Sequence, residues 1–300
     1  MVAPVRTTLV PPRLASLPQQ VAQLERSSRA IAFVRDGRRL LRAWGDPERP
    51  FVLAVAPTGS RWVVEGWGVG PAAARRAVRE MFGLNDPLEE FYRRVRTEPV
   101  LRGCERRFRG LRLPRDANLF EALVFAVVGQ QLSVAAANAI QQRLWARFGR
   151  RLRTDGPDVP VVPSPAEIVA AGPAGLRSVG LSRAKARALV RLAGWMTEAP
   201  SVPALRRWPC ATARDLLERL PGVGRWTAEN VLLRGTGRAD VFVAGDLGVR
   251  VALDRYGAVP KDAPEARARA WAERVYPGWG SYATLYLWRK LVADRTPRAG

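Results

Sequence analysis

The sequence contains no histidine, only two cysteines and, among its 49 basic residues, only three lysines: Lys185, Lys261 and Lys290. Without histidine there is no imidazole acid–base catalysis, no Ser-His triad and no His-ligated metal. Cys104 and Cys210 cannot build a four-cysteine zinc or iron–sulfur site. No apolar run approaches the 18 residues of a membrane-spanning helix. The opening MVAPVRTTLVPPRLASLPQQ lacks the continuous apolar stretch of a secretory signal. Together these absences predict a cytoplasmic protein without membrane contact.

What is present is arginine. Basic residues number 49 against 27 acids, a formal charge of +22 and a pI near 11.5. Such an excess points to a polyanionic partner, most often nucleic acid. Arginine so favoured over lysine, beside abundant Ala, Gly and Pro, also fits a GC-rich coding bias, so charge by itself leaves the chemistry open. Three hundred residues at 47% hydrophobic and 25% charged suit two or three domains with their own cores.

The pattern divides the chain. Residues 1–22, rich in Pro and polar side chains, read as a flexible lead-in. Residues 23–110 read as an α+β domain. AIAFV, the turn Arg35-Asp36-Gly37-Arg38 and RLLRAW are followed by FVLAVA, Pro57-Thr58-Gly59 and RWVVEGW, all strand-like, and then by a helix from Pro71 to about Met81. From 111 to 300 the periodicity is helical: Leu119, Phe120, Leu123, Val124 and Val127 share a face, and Ser133 is placed to cap a helix reaching Phe148. Residues 153–165 read as a loop, Ser164-Pro165-Ala166-Glu167 as a capping box, and helices are predicted over 183–197, 213–219, 225–235, 247–255, 264–275 and 281–292. The fold class is thus mainly α, with a small antiparallel sheet domain preceding a helical core.

The segment ARDLLERLPGVGRWTAENVLLRG (213–235) carries the chemistry. Pro221 ends one helix, and Gly222 and Gly224 permit a tight hairpin whose backbone N–H groups approach a phosphate, aided by the dipole of the next helix. Taken alone, such a turn is more often an ordinary connector between helices. LPGVGRWTA followed by DVFVAGDLGVR, however, resembles the helix-hairpin-helix DNA glycosylase superfamily, and within it the bacterial 3-methyladenine DNA glycosylase II family. GLRLP (110–114), VGQQLSVAAA (128–137), VGLSRAKARAL (179–189) and WGSYATLYLW (279–288) extend the likeness over most of 105–292.

The resemblance implies a helical helix-hairpin-helix glycosylase core with an active cleft, and a monomeric base excision repair enzyme. Its activity would be hydrolysis of the N-glycosidic bond of alkylated purines of the 3-methyladenine and 7-methylguanine type. Its substrate would be duplex DNA from which the base is flipped, in the bacterial nucleoid. It makes Asp246 the catalytic carboxylate, with Trp226, Trp288 and Asn230 around the base. Gly222, Val223, Gly224 and Thr227 become the DNA-binding hairpin, and Gln130, Gln131 and Leu132 the wedge entering the base stack. No cofactor is required; a monovalent cation held by the carbonyls of Glu218, Leu220 and Val223 is the one addition it suggests. Relatives that also cleave the strand carry a Schiff-base lysine where this chain has Trp226, so a hydrolase without lyase activity is expected. Gly245 departs from the family, whose members often place a second acid there.

The residues support the same chemistry. A methylated purine is already cationic and leaves as a neutral base, so one carboxylate suffices to stabilise the oxocarbenium sugar and orient water. Asp246 read alone fits a helix cap as well as a catalytic group. Indole faces attract a cationic base, and equally fill cores. A glycosylase for another lesion and a non-catalytic damage-binding protein remain the alternatives.

Overall fold

The computed structural model describes residues 3–295. The outermost residues of the first and last expected segments, 1–2 and 296–300, lie outside the described residues.

Val5–Leu9 (β1) opens the chain and is followed by Leu17–Leu24 (α1), whose cap is Ser16 accepting from Gln19 N–H. Phe33–Asp36 (β2), Arg39–Trp44 (β3), Phe51–Thr58 (β4) and Arg61–Trp67 (β5) complete an antiparallel sheet in the order β1-β5-β4-β3-β2. The stretch read as a flexible lead-in therefore needs correcting. Five of its residues pair with β5, Val5 opposite Gly66 through Leu9 opposite Trp62, and Leu9 is buried. The polar alternation VRTTL that suggested looseness is the pattern of an edge strand with one solvated face.

Pro71–Met81 (α2) covers one face of the sheet, where Val64, Val78 and Trp62 are buried together. Leu88–Thr97 (α3) and Cys104–Arg107 (α4) then lead into the helical body. Its central element is Leu119–Gly129 (α5), capped by Asn118. The run LFEALVFAVV is apolar except for Glu121, which pairs with Arg42, and every residue of it is buried, so α5 becomes the axis of the core.

Val134–Phe148 (α6) follows, capped by Ser133 as its sequence predicts. The expected loop over 153–165 is also corrected. Arg150–Leu152 (β6) pairs with Val159–Val161 (β7), and Val159 and Val161 bury against Leu41, Val52 and Trp67 on the other face of the main sheet. VPV is too short to show a period, and only that contact makes it a strand.

Pro165–Ser178 (α7) starts on the predicted capping box and kinks at Gly172-Pro173. Arg183–Trp195 (α8), Val202–Arg207 (α9) and Cys210–Glu218 (α10) run up to the glycine hairpin. Beyond it lie Arg225–Val231 (α11), a π-type turn over Leu232–Thr236, Leu247–Arg255 (α12), Glu265–Val275 (α13) and Gly280–Arg295 (α14). Among the described residues no helix is long and apolar enough to cross a membrane.

Candidate active site

A cleft of about 540 Å³ opens between the end of α5, the start of α6, α11, the start of α12 and α14, with residues 26–29 forming one wall. Asp246 sits in it as the cap of α12, its Oδ1 accepting from Val249 N–H at 3.0 Å. Two indoles complete its environment. Trp226 Nε1–H donates to Oδ2 at 3.0 Å, and Trp288 Nε1–H donates to Oδ1 at 2.8 Å. Indole is a donor only, so these bonds hold a carboxylate and orient it. Gly248 makes the approach possible, because a Cβ there would lie 3.1 Å from Asp246 Oδ1 and 3.3 Å from the Trp288 ring.

Asn230 also lines the cleft, with its amide donating back to Trp226 O at 2.9 Å. Behind Trp288 stands Arg234, fully buried, with its guanidinium carbon 5.7 Å from the ring centroid. Burial, reinforced by Arg29 and opposed by Asp116, pushes Arg234 down to about 9.

The hairpin between α10 and α11 differs in detail from its sequence reading. Gly222 takes the left-handed conformation (φ +80°), and a Cβ there would press on Ala188 Cβ at 2.6 Å. Gly224 is extended (φ −90°, ψ 177°) with open space where its Cβ would stand, so its value is accessibility rather than conformation. Both glycines are exposed. Val223 between them is buried, and its N–H donates to Leu220 O at 3.1 Å.

Two residues expected at the DNA, Gln130 and Thr227, have side chains bonded to each other. Thr227 is only 2% exposed, and its hydroxyl accepts from Gln130 Nε2 at 2.9 Å. The same Gln130 amide donates to Gly222 O at 2.8 Å. These two side chains thus lock the hairpin to the end of α5 instead of presenting themselves to a partner. Lys185, which as a helix-start lysine could serve a phosphate, is spent similarly. Its ammonium donates to Val128 O at 2.9 Å and Gln130 O at 2.7 Å, the carbonyls ending α5. Burial pushes its pKa down.

Gln131 behaves otherwise. It is exposed and has φ +54°, the one positive φ outside glycine among the described residues. Leu132 beside it is 38% exposed at the cleft mouth. A strained, outward-pointing loop held from behind by Gln130 and Lys185 suits insertion into a partner.

The carbonyls of Glu218, Leu220 and Val223 lie at the negative end of α10 and in the turn beyond it, a donor set suited to a cation. Leu220 O already accepts from Val223 N–H at 3.1 Å, and the Glu218 carboxylate pairs with Arg214 at 3.4 Å.

Several cleft residues had no legible sequence signal. Leu247, 65% exposed, stands at the mouth directly after Asp246. Arg29 reaches over from the connection after α1, pairs with Asp116 at 3.0 Å and lies 4.8 Å from the Phe125 ring centroid. Its partners are 87 and 96 residues away, beyond any local pattern.

Comparison with known proteins agrees with this geometry. A family model described as HhH-GPD superfamily base excision DNA repair protein matches residues 124–277. DNA-3-methyladenine glycosylase 2 of Escherichia coli is 36% identical over 179 residues, covering 60% of this chain. The match also spans 60% of that relative's length, less than two thirds of it. Among solved structures, the 3-methyladenine DNA-glycosylase from Archaeoglobus fulgidus superposes with a TM-score of 0.84 at 27% identity, covering 97% of this chain and all of that one. A Schizosaccharomyces pombe 3-methyladenine DNA glycosylase in complex with abasic DNA aligns at 28% identity and a TM-score of 0.51, over 61% of this chain and 85% of its own.

Proposed function

The chain belongs to the HhH-GPD superfamily of base excision DNA repair proteins, and from that premise we propose that it is a DNA glycosylase hydrolysing the N-glycosidic bond of alkylated purines. The observation that carries the reading is the Asp246 carboxylate held by two indole N–H donors inside a base-sized cleft. Names of relatives support the substrate class: the Escherichia coli, Archaeoglobus fulgidus and Schizosaccharomyces pombe proteins are all called 3-methyladenine glycosylases.

In the proposed reaction the lesion turns out of duplex DNA into the cleft, between the Trp226 and Trp288 indoles. The C1′–N bond breaks and its electron pair leaves with the base, which departs neutral because it entered cationic. Positive charge then develops on the sugar, and the anionic Asp246 stabilises it electrostatically. Water adds to C1′ and releases its proton, giving an abasic site. Three N–H donors on its oxygens hold the Asp246 carboxylate in place at the cleft.

Gly222 and Gly224 would hold a backbone phosphate through their N–H groups, Gln131 and Leu132 would fill the gap left by the base, and Asn230 would border the base itself. A monovalent cation on the Glu218, Leu220 and Val223 carbonyls would bridge hairpin and phosphate; no other cofactor enters. The sheet-bearing segment up to residue 110, which includes β1, and the helical segment 111–300 would be the two domains of a monomer acting in the cytoplasm, at the nucleoid.

Incubation with duplex DNA containing 3-methyladenine or 7-methylguanine tests the reading. Free methylated base should appear with an intact abasic strand that breaks only in hot alkali. A borohydride-trapped protein–DNA adduct would overturn the hydrolase assignment. Binding without release of any base would favour a damage-binding protein.

A further inference from the structure

Away from the cleft, α3 and α4 carry a second concentration of charge. Between Arg93 and Arg109 stand seven arginines: 93, 94, 96, 102, 106, 107 and 109. The same stretch has two acids, and neither offsets them fully. Glu98 is engaged by the N–H groups of Val100 and Leu101 and by the Tyr276 hydroxyl. Glu105 is buried and reaches only Arg106, at 3.7 Å, whose side chain is 82% exposed.

Arg96, Arg102, Arg106 and Arg109 surround a hollow of about 430 Å³, with Glu105 as the one acid in its lining. Arg96, Arg102 and Arg109 have no carboxylate partner among the described residues, and all four are exposed. Four guanidinium groups converging on one concavity repel each other unless an anion joins them. Several multidentate donors in one place match phosphate oxygens in particular.

The arginines of α4 approach the cleft lining at Phe108. Its ring has the guanidinium of Arg107, next in sequence to Arg106 of the hollow and paired with Asp294, 5.3 Å from its centroid, and the Arg289 guanidinium 5.2 Å from it. Arg289 itself lines the cleft, together with Arg26 and Arg295.

We infer that this hollow is a second DNA-backbone contact, which receives phosphates of the duplex flank beyond the base being excised. The inference rests on the proposed action on DNA. An acidic protein surface would satisfy the arginines too, but the approach of Arg107 and Arg289 at Phe108, with Arg289, Arg26 and Arg295 on the cleft, favours the polyanion proposed to enter the cleft.

The test compares Arg102→Ser/Arg106→Ser with Arg38→Ser/Arg61→Ser, a control removing two exposed arginines from sheet turns. Affinity is measured against salt for lesion duplexes of about 12 and about 30 base pairs. Losing two phosphate contacts should lower the slope of log affinity against log salt by about 2 on the long duplex only. The control should change neither slope, and base release at saturating enzyme should stay at the wild-type rate. Equal slopes for both variants on the long duplex would overturn the proposal, as would an equal loss on both lengths. If the wild type releases no base yet the length-dependent loss appears, the glycosylase reading fails while this contact stands.

Discussion

Trp226 and Asp246 are 20 residues apart in sequence, yet the indole N–H of one lies 3.0 Å from the carboxylate of the other. The family resemblance implies a Schiff-base lysine at that position in strand-cleaving relatives. Here the occupant is an indole that donates to the carboxylate proposed as catalytic.

Asp246→Asn keeps a side-chain oxygen to cap α12 at Val249 N–H. It removes the anion and turns an amide NH2 toward one of two indole donors. Base release should fall by at least ~10²-fold while DNA affinity is retained. Single-turnover excision alongside a binding titration checks both, and near-wild-type excision would remove Asp246 from the mechanism.

Trp288→Phe and Trp226→Phe preserve a ring but delete the N–H donor to Asp246. A hydrogen bond to a charged group contributes about 1.5–3 kcal/mol, so each should lower the excision rate by roughly 10- to 100-fold with folding intact. Trp226→Ala also removes the ring face, and should cost about 1–2 kcal/mol more on a cationic base than on neutral hypoxanthine. Equal losses on the two lesions would point to shape rather than charge.

The hairpin glycines should separate cleanly. Gly224→Asp has room for its side chain, so thermal stability should hold while affinity falls about equally for all DNA sequences, through charge beside the phosphate. Gly222→Ala must adopt φ +80° and meets Ala188 at 2.6 Å, so it should destabilise the fold by about 1–3 kcal/mol. Calorimetry and a binding titration on the two variants distinguish conformation from contact.

Glu121 on α5 is buried against Arg42 on β3, and joins sheet to helical core. Burial, opposed by Arg42, pushes it up to about 7 from 4.5. Because the folded state binds this proton more tightly than the unfolded state, the stability it contributes is full below about 4.5. That contribution is lost as pH rises toward 7. Relative to Glu121→Gln, the wild type should therefore lose thermal stability between pH 4.5 and 7 and change little above. A pH-independent difference would show that Glu121 does not titrate in that window.

Local pattern was enough for much of the molecule. Ser133, Ser164 and Asp246 cap the helices that follow them, because a cap is a matter of residues i to i+3. The spacing of Leu119, Phe120, Leu123, Val124 and Val127 was enough to read the helix α5, though not the burial of Glu121 among them, and LPGVGRWTA was enough to read the family. Missing histidine and missing cysteine ligands narrowed the chemistry before any fold was known. Tertiary structure decided the rest. Gln130 and Lys185 look like surface polar residues, and only the approach of α5 to the hairpin and to α8 turns them inward. β1 and β7 are strands because partners about 60 and 11 residues away complete their hydrogen bonds. Arg29 enters the cleft for the same reason. Caps and periodicity depend on neighbours along the chain, whereas pairing, burial and charge convergence depend on neighbours in space, which no local window of sequence contains.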